Sequence, residues 1–180
     1  MFFVDYLNKR IKEDSAGKVI KKHKGNVTVA FGFNLWKRDF LERYIPGKSY
    51  EYIPLNATGK SYPKIKELLM VYAGHVDVLA WGKKLPEPIL EFCNQKSIPV
   101  RYMEDGFIRS VRLGVEHVWP RSLTIDSLAN HFEYQKETEL EKLLKTCNFE
   151  AQLLDRSRKL RDLIVSNNIS KYNNSRPVDN

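Results

Sequence analysis

Short apolar runs alternate with amphipathic stretches along the first two thirds of the chain. Four runs rich in β-branched and other apolar residues predict strands. Apolar residues between these runs recur with helical spacing, which predicts helices. The predicted strands are Val27–Phe31, Tyr50–Ile53, Val76–Ala80 and Pro99–Met103, and the predicted helices are Trp36–Ile45, a segment carrying Ile65, Leu68, Leu69 and Tyr72, and Glu87–Lys96.

The alternation of strands and helices indicates parallel βαβ units, because parallel neighbours need a crossover connection. We therefore expect an α/β fold: a Rossmann-like open parallel sheet with helices on both faces. Further along, Ser122–Asp126 has the character of a short strand, and Glu137–Thr146 and Ala151–Val165 have helical periodicity. The expected organisation is an N-terminal helical and basic segment at residues 1–25, a Rossmann-like domain at residues 26–166, and a linker or frayed tail at residues 167–180.

Composition and charge restrict the class of protein. The chain has 180 residues, of which 42% are hydrophobic, enough for one domain with a real core. Its 30 basic residues outnumber 22 acidic residues, and the net charge of +8 favours an anionic partner such as a nucleotide, an acidic sugar or a phospholipid headgroup. Nucleic acid is not expected, because the basic residues are spread along the chain without a recognisable binding motif.

The sequence predicts no metal and no cofactor. Its four histidines lack metal-ligand spacing, and no glycine-rich phosphate loop is present. Cys93 and Cys147 form no CxxC pair, which is typical of reduced thiols in a cytosolic protein.

The N-terminal segment allows two interpretations. Aromatic and aliphatic residues between Phe2 and Ile11 can share one helical face, and the basic cluster Lys18–Lys24 follows. This pattern fits a helix packed on the body with a solvated charge run, or a peripheral contact with a membrane surface. No apolar run approaches the roughly 18 residues of a spanning helix, and Asp5 and Asn8 interrupt any secretion signal, so we expect a cytoplasmic protein.

Three loops are candidates for a functional site, because open α/β sheets bind ligands beyond the carboxyl ends of their strands. They are Gly32–Trp36, Trp81–Lys84 and Glu104–Ser110, and each contains a glycine near the end of a strand.

The third loop carries the most chemistry. In an extended strand Glu104 and Asp105 point to opposite faces, and Gly106 lets the chain fold back and present the carboxylate of Asp105. Arg109 and Ser110 supply a guanidinium and a hydroxyl for a carboxylate or phosphate. A structural alternative is equally open, in which an arginine–aspartate pair fixes an ordinary Asp-Gly turn.

The segment Met103–Val111, followed by Pro120–Asp126, resembles the signature of bacterial capsule-polysaccharide biosynthesis proteins, the retaining β-Kdo transferases. Val78–Lys83 and Leu160–Asn173 are similar to further parts of that family, so the resemblance covers most of residues 27–173. Two places depart from the family pattern. Arg112 stands where a glycine is usual, and residues 131–134 replace a Tyr-Tyr-Asp segment.

The resemblance implies transfer of Kdo, an acidic eight-carbon sugar, from CMP-β-Kdo to a lipid-linked glycan with retained anomeric configuration. Retention by two displacements needs a carboxylate nucleophile, and the family pattern gives this role to Asp105. Glu104 either orients that nucleophile or satisfies backbone donors. The residues expected to bind the substrate are Arg109, Ser110, Gly106 and Ser122.

The resemblance also implies the N-terminal lobe of a two-lobed GT-B glycosyltransferase. The second Rossmann-like lobe would bind the CMP moiety, and we expect the chain to be incomplete without it. The alternative hypothesis is a non-catalytic module that binds an anionic glycan or the inner-membrane surface through its basic residues.

Overall fold

The computed structural model describes residues 26–110 and 118–173, and the predicted segment at residues 1–25 lies outside them. The strands are β1 (Val27–Phe31), β2 (Ser49–Ile53), β3 (Val76–Trp81), β4 (Val100–Asp105) and β5 (Leu123–Asp126). The helices are α1 (Leu35–Tyr44), α2 (Tyr62–Val71), α3 (Glu87–Gln95), α4 (Glu139–Thr146) and α5 (Ala151–Ser166), and one 3-10 turn, Gly59–Ser61, precedes α2. The predicted strands and helices are confirmed, with small shifts at their ends.

The strands form one sheet in the order β2-β1-β3-β4-β5. β1 pairs in parallel with β2 and β3, and β3 pairs in parallel with β4, which confirms the Rossmann-like α/β fold. β5 runs antiparallel to β4 and places Leu123 opposite Asp105. The sequence did not predict this direction. An antiparallel neighbour needs no crossover helix, and only residues 106–122 separate the two strands.

Helices cover both faces of the sheet, as predicted. On one face, β-strand residues such as Val78 pack with Ile65 of α2 and Ile89 of α3. On the other face, Leu79 packs with Phe40 of α1. Neighbouring residues of β3 therefore serve opposite clusters, because successive side chains of a strand point to opposite faces.

The connections between the strands reverse direction between β1 and β3. The connection from β1 to β2 passes through α1 on one face, whereas the connection from β3 to β4 passes through α3 on the other. The two connections also lead to opposite edges of the sheet. This is the topological switch point at which open α/β sheets leave room for a ligand.

The last two helices differ from the first three. Neither α4 nor α5 has a buried residue, although α4 begins with a complete capping box between Thr138 and Glu141. Apolar side chains on these helices are exposed: Leu143 of α4 is 50% exposed and Leu160 of α5 is 53% exposed. Of the helices in the described part of the chain, none is long and apolar enough to cross a membrane.

A buried carboxylate ties four strands together at the amino end of the sheet. Asp77 of β3 accepts a hydrogen bond from Thr28 of β1 and forms ion pairs with Lys48, beside β2, and Arg101 of β4. The distances to the two cations are 2.5 and 2.8 Å, and the side chain of Asp77 is only 12% exposed. Each partner satisfies part of the carboxylate, which makes its burial tolerable.

Replacing Asp77 with alanine should lower the free energy of unfolding by about 3 kcal/mol, because two half-buried cations and a buried hydroxyl lose their common partner. Urea denaturation measures the loss. The control is Glu67→Ala, which removes the exposed partner of Lys64 on α2 and should cost less than about 1 kcal/mol. Equal losses in the two variants would contradict the role given to Asp77.

Candidate active site

Three loops meet at the carboxyl edge of the sheet, as the sequence predicts, because β1, β3 and β4 are parallel neighbours. Glycines let these loops pack directly on one another. A Cβ atom on Gly32 would lie 2.6 Å from the Cβ of Lys84, and one on Gly82 would lie 2.2 Å from Oε1 of Glu104. Both glycines also have positive φ angles, 83° and 53°, which other residues rarely adopt.

Asp105 ends β4 and is paired with Arg109. Its Oδ2 lies 2.9 Å from Nε of the guanidinium, whose side chain is 0% exposed, whereas that of Asp105 is 21% exposed. Nη1 of Arg109 donates a hydrogen bond to Oγ of Ser110 at 2.8 Å. A buried guanidinium is costly unless it is paired, so both contacts are needed to hold it in this position.

The backbone of the site loop is tied to two other segments. The N–H groups of Arg109 and Ser110 both donate to the carbonyl of Lys171, at 2.8 and 3.3 Å. The N–H of Arg121 donates to the carbonyl of Arg109 at 2.6 Å. Residues after α5 therefore fix the loop that carries Arg109. The sequence pointed to this segment only through its resemblance to the capsule family.

Gly106 is required for a close approach between β4 and the residues that lead into β5. Its N–H donates to the carbonyl of Ser122 at 3.0 Å. A Cβ atom at this position would lie 2.2 Å from Oγ and 2.9 Å from the backbone carbon of Ser122. The hydroxyl of Ser122 donates to the carbonyl of Ile108. These contacts build the loop, and the predicted contacts of Gly106 and Ser122 with a substrate stay predictions.

Glu104 lies beneath the turn that follows β3. Burial raises the pKa of this carboxyl group above its ordinary value, and the negative charge of Asp105 acts in the same direction. A hydrogen bond from the backbone of Asp105 and the positive charge of Lys37 act in the opposite direction. Lys37, which lies in the first turn of α1, carries no signal in the sequence that marks it as a site residue.

A cavity of about 650 Å³ opens beside the two carboxylates. Glu104 and Asp105 line it together with the aromatic ring of Phe107, Leu140 of α4 and Lys171. Its volume lies within the range of small-molecule sites. Phe107 belongs to the predicted loop Glu104–Ser110 but was given no role there. Leu140 and Lys171 were not predicted to line a site, because their contribution depends on how α4 and the segment after α5 return to the sheet.

Within residues 26–110 and 118–173, the buried side-chain atoms that lack a hydrogen-bond partner all lie at this edge. Four side chains contribute them: Asn34 through Oδ1, Asp105 through Oδ1, Arg109 through Nε and Nη2, and Asn130 through Nδ2. Nε of Arg109 is close enough to Asp105 for an ion pair, but its N–H is not directed at the carboxylate. Because buried polar groups are normally satisfied, their concentration here indicates a place where a ligand or water supplies the partners.

The same described residues contain no group of three or more histidine, cysteine or acidic side chains that could hold a metal ion. The site therefore consists of carboxylates, cations and amides at the carboxyl edge of a Rossmann-like sheet. These groups form a candidate site at the edge where α/β folds of this kind bind their ligands.

The family follows from a comparison with known proteins. Residues 76–180, more than half of the chain, match the family model described as capsule polysaccharide biosynthesis protein. The chain belongs to this family, and the matched region includes the loop that carries Asp105 and Arg109.

Two curated relatives are named for lipopolysaccharide processing and capsule polysaccharide modification. The chain is 32% identical over 149 residues to the lipopolysaccharide-processing protein LpsZ of Rhizobium meliloti, a match that covers 82% of this chain and 33% of that protein. It is 35% identical over 142 residues to the capsule polysaccharide modification protein LipA of Neisseria meningitidis, a match that covers 79% of this chain and 19% of that protein. The chain thus spans about a third and about a fifth of the lengths of these relatives.

Two solved structures share the fold. One is KpsC of Thermosulfurimonas dismutans described as a beta Kdo 2,4 transferase, with a TM-score of 0.59 and 25% identity over 87% of this chain and 45% of that chain. The other is KpsC of the same organism described as a beta Kdo 2,7 transferase, with a TM-score of 0.57 and 24% identity over 85% of this chain and 45% of that chain. The resemblance inferred from sequence is confirmed.

Replacing Gly106 with alanine should lower the free energy of unfolding by about 1–3 kcal/mol, because the added methyl group would overlap Ser122. Urea denaturation measures the change. The control is Gly59→Ala, where the nearest atom to the new Cβ is a ring carbon of Tyr62 at 4.0 Å. This variant should be neutral or stabilised by up to about 1 kcal/mol. Equal stability of the two variants would show that the approach of Gly106 to Ser122 is not needed.

Proposed function

We propose that this chain is the nucleophile-bearing lobe of a retaining β-Kdo transferase in capsular or surface polysaccharide biosynthesis. The observation that carries the proposal is the carboxylate of Asp105, held by Arg109 at the edge of a cavity with Oδ1 lacking a hydrogen-bond partner. Membership of the capsule family and similarity to two chains described as beta Kdo transferases support it.

The proposed reaction is a double displacement. A carboxylate oxygen of Asp105 attacks the anomeric carbon of Kdo, the bond from that carbon to the phosphate oxygen breaks, and CMP leaves with the electron pair. A hydroxyl oxygen of the glycan acceptor then attacks the same carbon, and the ester bond to Asp105 breaks. Two inversions give retention of configuration. Glu104 lines the same cavity and is the carboxylate available to accept the proton of the acceptor hydroxyl.

Arg109 has two functions in this proposal. Its ion pair with Asp105, 2.9 Å from Nε to Oδ2, holds the carboxylate in a fixed position. Its contact with Ser110 fixes the plane of the guanidinium. Nη2 has no hydrogen-bond partner among the described residues and is free to bind an oxygen of the donor.

The nucleotide of the donor requires a second binding surface, because binding energy on the remote part of a substrate positions its reacting carbon. We assign that surface to a second Rossmann-like lobe in a GT-B arrangement. In support, this chain corresponds to 45% of each of the two solved transferase chains. The proposed partners are CMP-Kdo, a lipid-linked glycan at the cytoplasmic side of the inner membrane, and the second lobe.

Incubation with CMP-Kdo in the absence of an acceptor should add the mass of one Kdo residue to the chain, and Asp105→Ala should abolish the adduct. Intact-protein mass spectrometry detects the adduct, and peptide mapping locates it. The chain is tested by itself and mixed with the nucleotide-binding lobe of a related transferase. With an acceptor present, Asp105→Ala should lower the transfer rate roughly 10³-fold or more.

The matched control is Asp155→Ala, which removes an exposed carboxylate of α5 that pairs with Lys159. This variant should form the adduct as well as the unmodified chain. An adduct that persists in Asp105→Ala, or one that maps to another residue, would refute the assignment of the nucleophile. No adduct with either form of the assay would favour the alternative of a non-catalytic module that binds an anionic glycan.

A further inference from the structure

Lys37 is a cation held over an aromatic ring at the topological switch point. Its Nζ lies 3.5 Å from the centroid of the Trp81 ring, at the end of β3, and 5.7 Å from that of Trp36. A cation in this position is stabilised by the aromatic faces. Among the described residues, no side chain or carbonyl accepts a hydrogen bond from this ammonium group, so the N–H groups not directed at the ring have no partner there.

The charges around Lys37 do not neutralise it completely. Burial lowers the pKa of its ammonium group to about 8, the carboxylates of Glu104 and Asp105 act against that shift, and the cations Arg109 and Lys84 add to it. Two carboxylates at the end of β4 and two cations in the loops after β3 and β4 therefore act on Lys37. An additional anion at this position would stabilise the charged form of Lys37, which burial disfavours.

A second cation with an unpaired donor lies near the indole ring of Trp36. The guanidinium carbon of Arg109 is 6.0 Å from the centroid of Trp36, and its Nη2 is buried without a hydrogen-bond partner. Lys37 and Arg109 thus both lie near the ring of Trp36, which is in the first turn of α1. Oδ1 of Asn34, the residue that caps this helix, is also buried without a partner. The unused polar capacity of the site is concentrated here.

We propose that Lys37 and Arg109 form an oxyanion-binding subsite that holds a carboxylate or phosphate group of the sugar-nucleotide donor beside Asp105. The inference deepens the proposed function and rests on it. In a sugar acid such as Kdo, the carboxylate is bonded directly to the anomeric carbon. A pair of cations that holds the carboxylate therefore also fixes the carbon that Asp105 attacks. If the phosphate is held instead, the same cations stabilise the leaving group.

The test follows Lys37 directly. Lysines are reductively methylated with ¹³C-formaldehyde, and the signal of Lys37 is assigned by its absence in Lys37→Arg. In the free chain this signal should titrate with a pKa well below that of an exposed lysine. Kdo carries the carboxylate without a phosphate, and CMP carries the phosphate without the sugar acid. The probe that occupies the subsite should raise the apparent pKa of Lys37 by about one unit or more.

Lys66 is the internal control, because its Nζ also lies near an aromatic ring, 5.4 Å from the centroid of Phe92, but on the other face of the sheet. Its titration should not respond to either probe. Lys37→Met should weaken binding of the effective probe by roughly tenfold, Lys37→Arg should restore part of it, and Lys66→Met should leave it unchanged.

The outcomes distinguish a carboxylate ligand from a phosphate ligand. They also test the subsite separately from the proposed double displacement. A response to Kdo alone assigns a carboxylate subsite, and a response to CMP alone assigns a phosphate subsite. If neither probe at saturation shifts the titration of Lys37, the subsite is refuted, and an Asp105 adduct would still support the transferase. A response of Lys37 without any adduct at Asp105 would instead support the subsite and refute the double displacement.

Discussion

The carboxyl edge of this protein depends on one buried guanidinium. Arg109 has no exposed surface, and such a group costs several kcal/mol unless charge and hydrogen bonds compensate it. Asp105 compensates part of the charge and Ser110 accepts one hydrogen bond. The backbone around it is held by the carbonyl of Lys171 and the N–H of Arg121. The path of the loop, the approach of β5 and the return of the chain after α5 therefore all serve the burial of one side chain.

The position of Arg109 also gives Asp105 two different surroundings. On one side the carboxylate lines a cavity whose walls include Phe107 and Leu140. The same carboxylate also pairs with Arg109, and both Arg109 and Lys37 lie near the ring of Trp36. In the double displacement that we propose, Asp105 must be reachable by both the donor and the acceptor. A carboxylate at the boundary between a cationic corner and a largely apolar cavity meets this requirement.

The sequence predicted those parts of the molecule that depend on local pattern. The β-branched run of β1 and the helical spacing in α2 predict their elements because burial of each depends mainly on its own side chains. The convergence of three glycine-containing loops follows from the parallel order of the strands. The direction of β5 was not predictable, because alternation fixes the face of each residue and not the direction of the strand. Lys37 was missed because its importance arises from Trp81, which α1 meets only in the folded chain.

Lys171, which binds the site loop through its backbone, illustrates a second limit of sequence-based inference. Its carbonyl is the acceptor for two N–H groups, and every residue has a carbonyl, so the side chain gives no signal. Only the similarity of this segment to the capsule family indicated that it belonged with the site. The role of Gly106 was also only partly predictable. A glycine after a strand indicates conformational freedom, and it does not show which neighbour comes close. The structure shows that the absence of a side chain next to Ser122 is the actual requirement.

Buried charged groups at the two ends of the sheet differ in how completely they are paired. Complete pairing indicates a structural role, and incomplete pairing indicates a candidate site. At the amino end, Asp77 is paired with two cations and a hydroxyl, so its network is closed and contributes to stability. At the carboxyl end, Asp105 and Arg109 are paired with each other but retain atoms without partners. Unsatisfied buried groups each cost about 1–3 kcal/mol, and a fold selected for stability alone would pair or replace them. The unpaired atoms persist at the one edge where a parallel sheet admits a ligand, which is where a substrate can supply the missing partners.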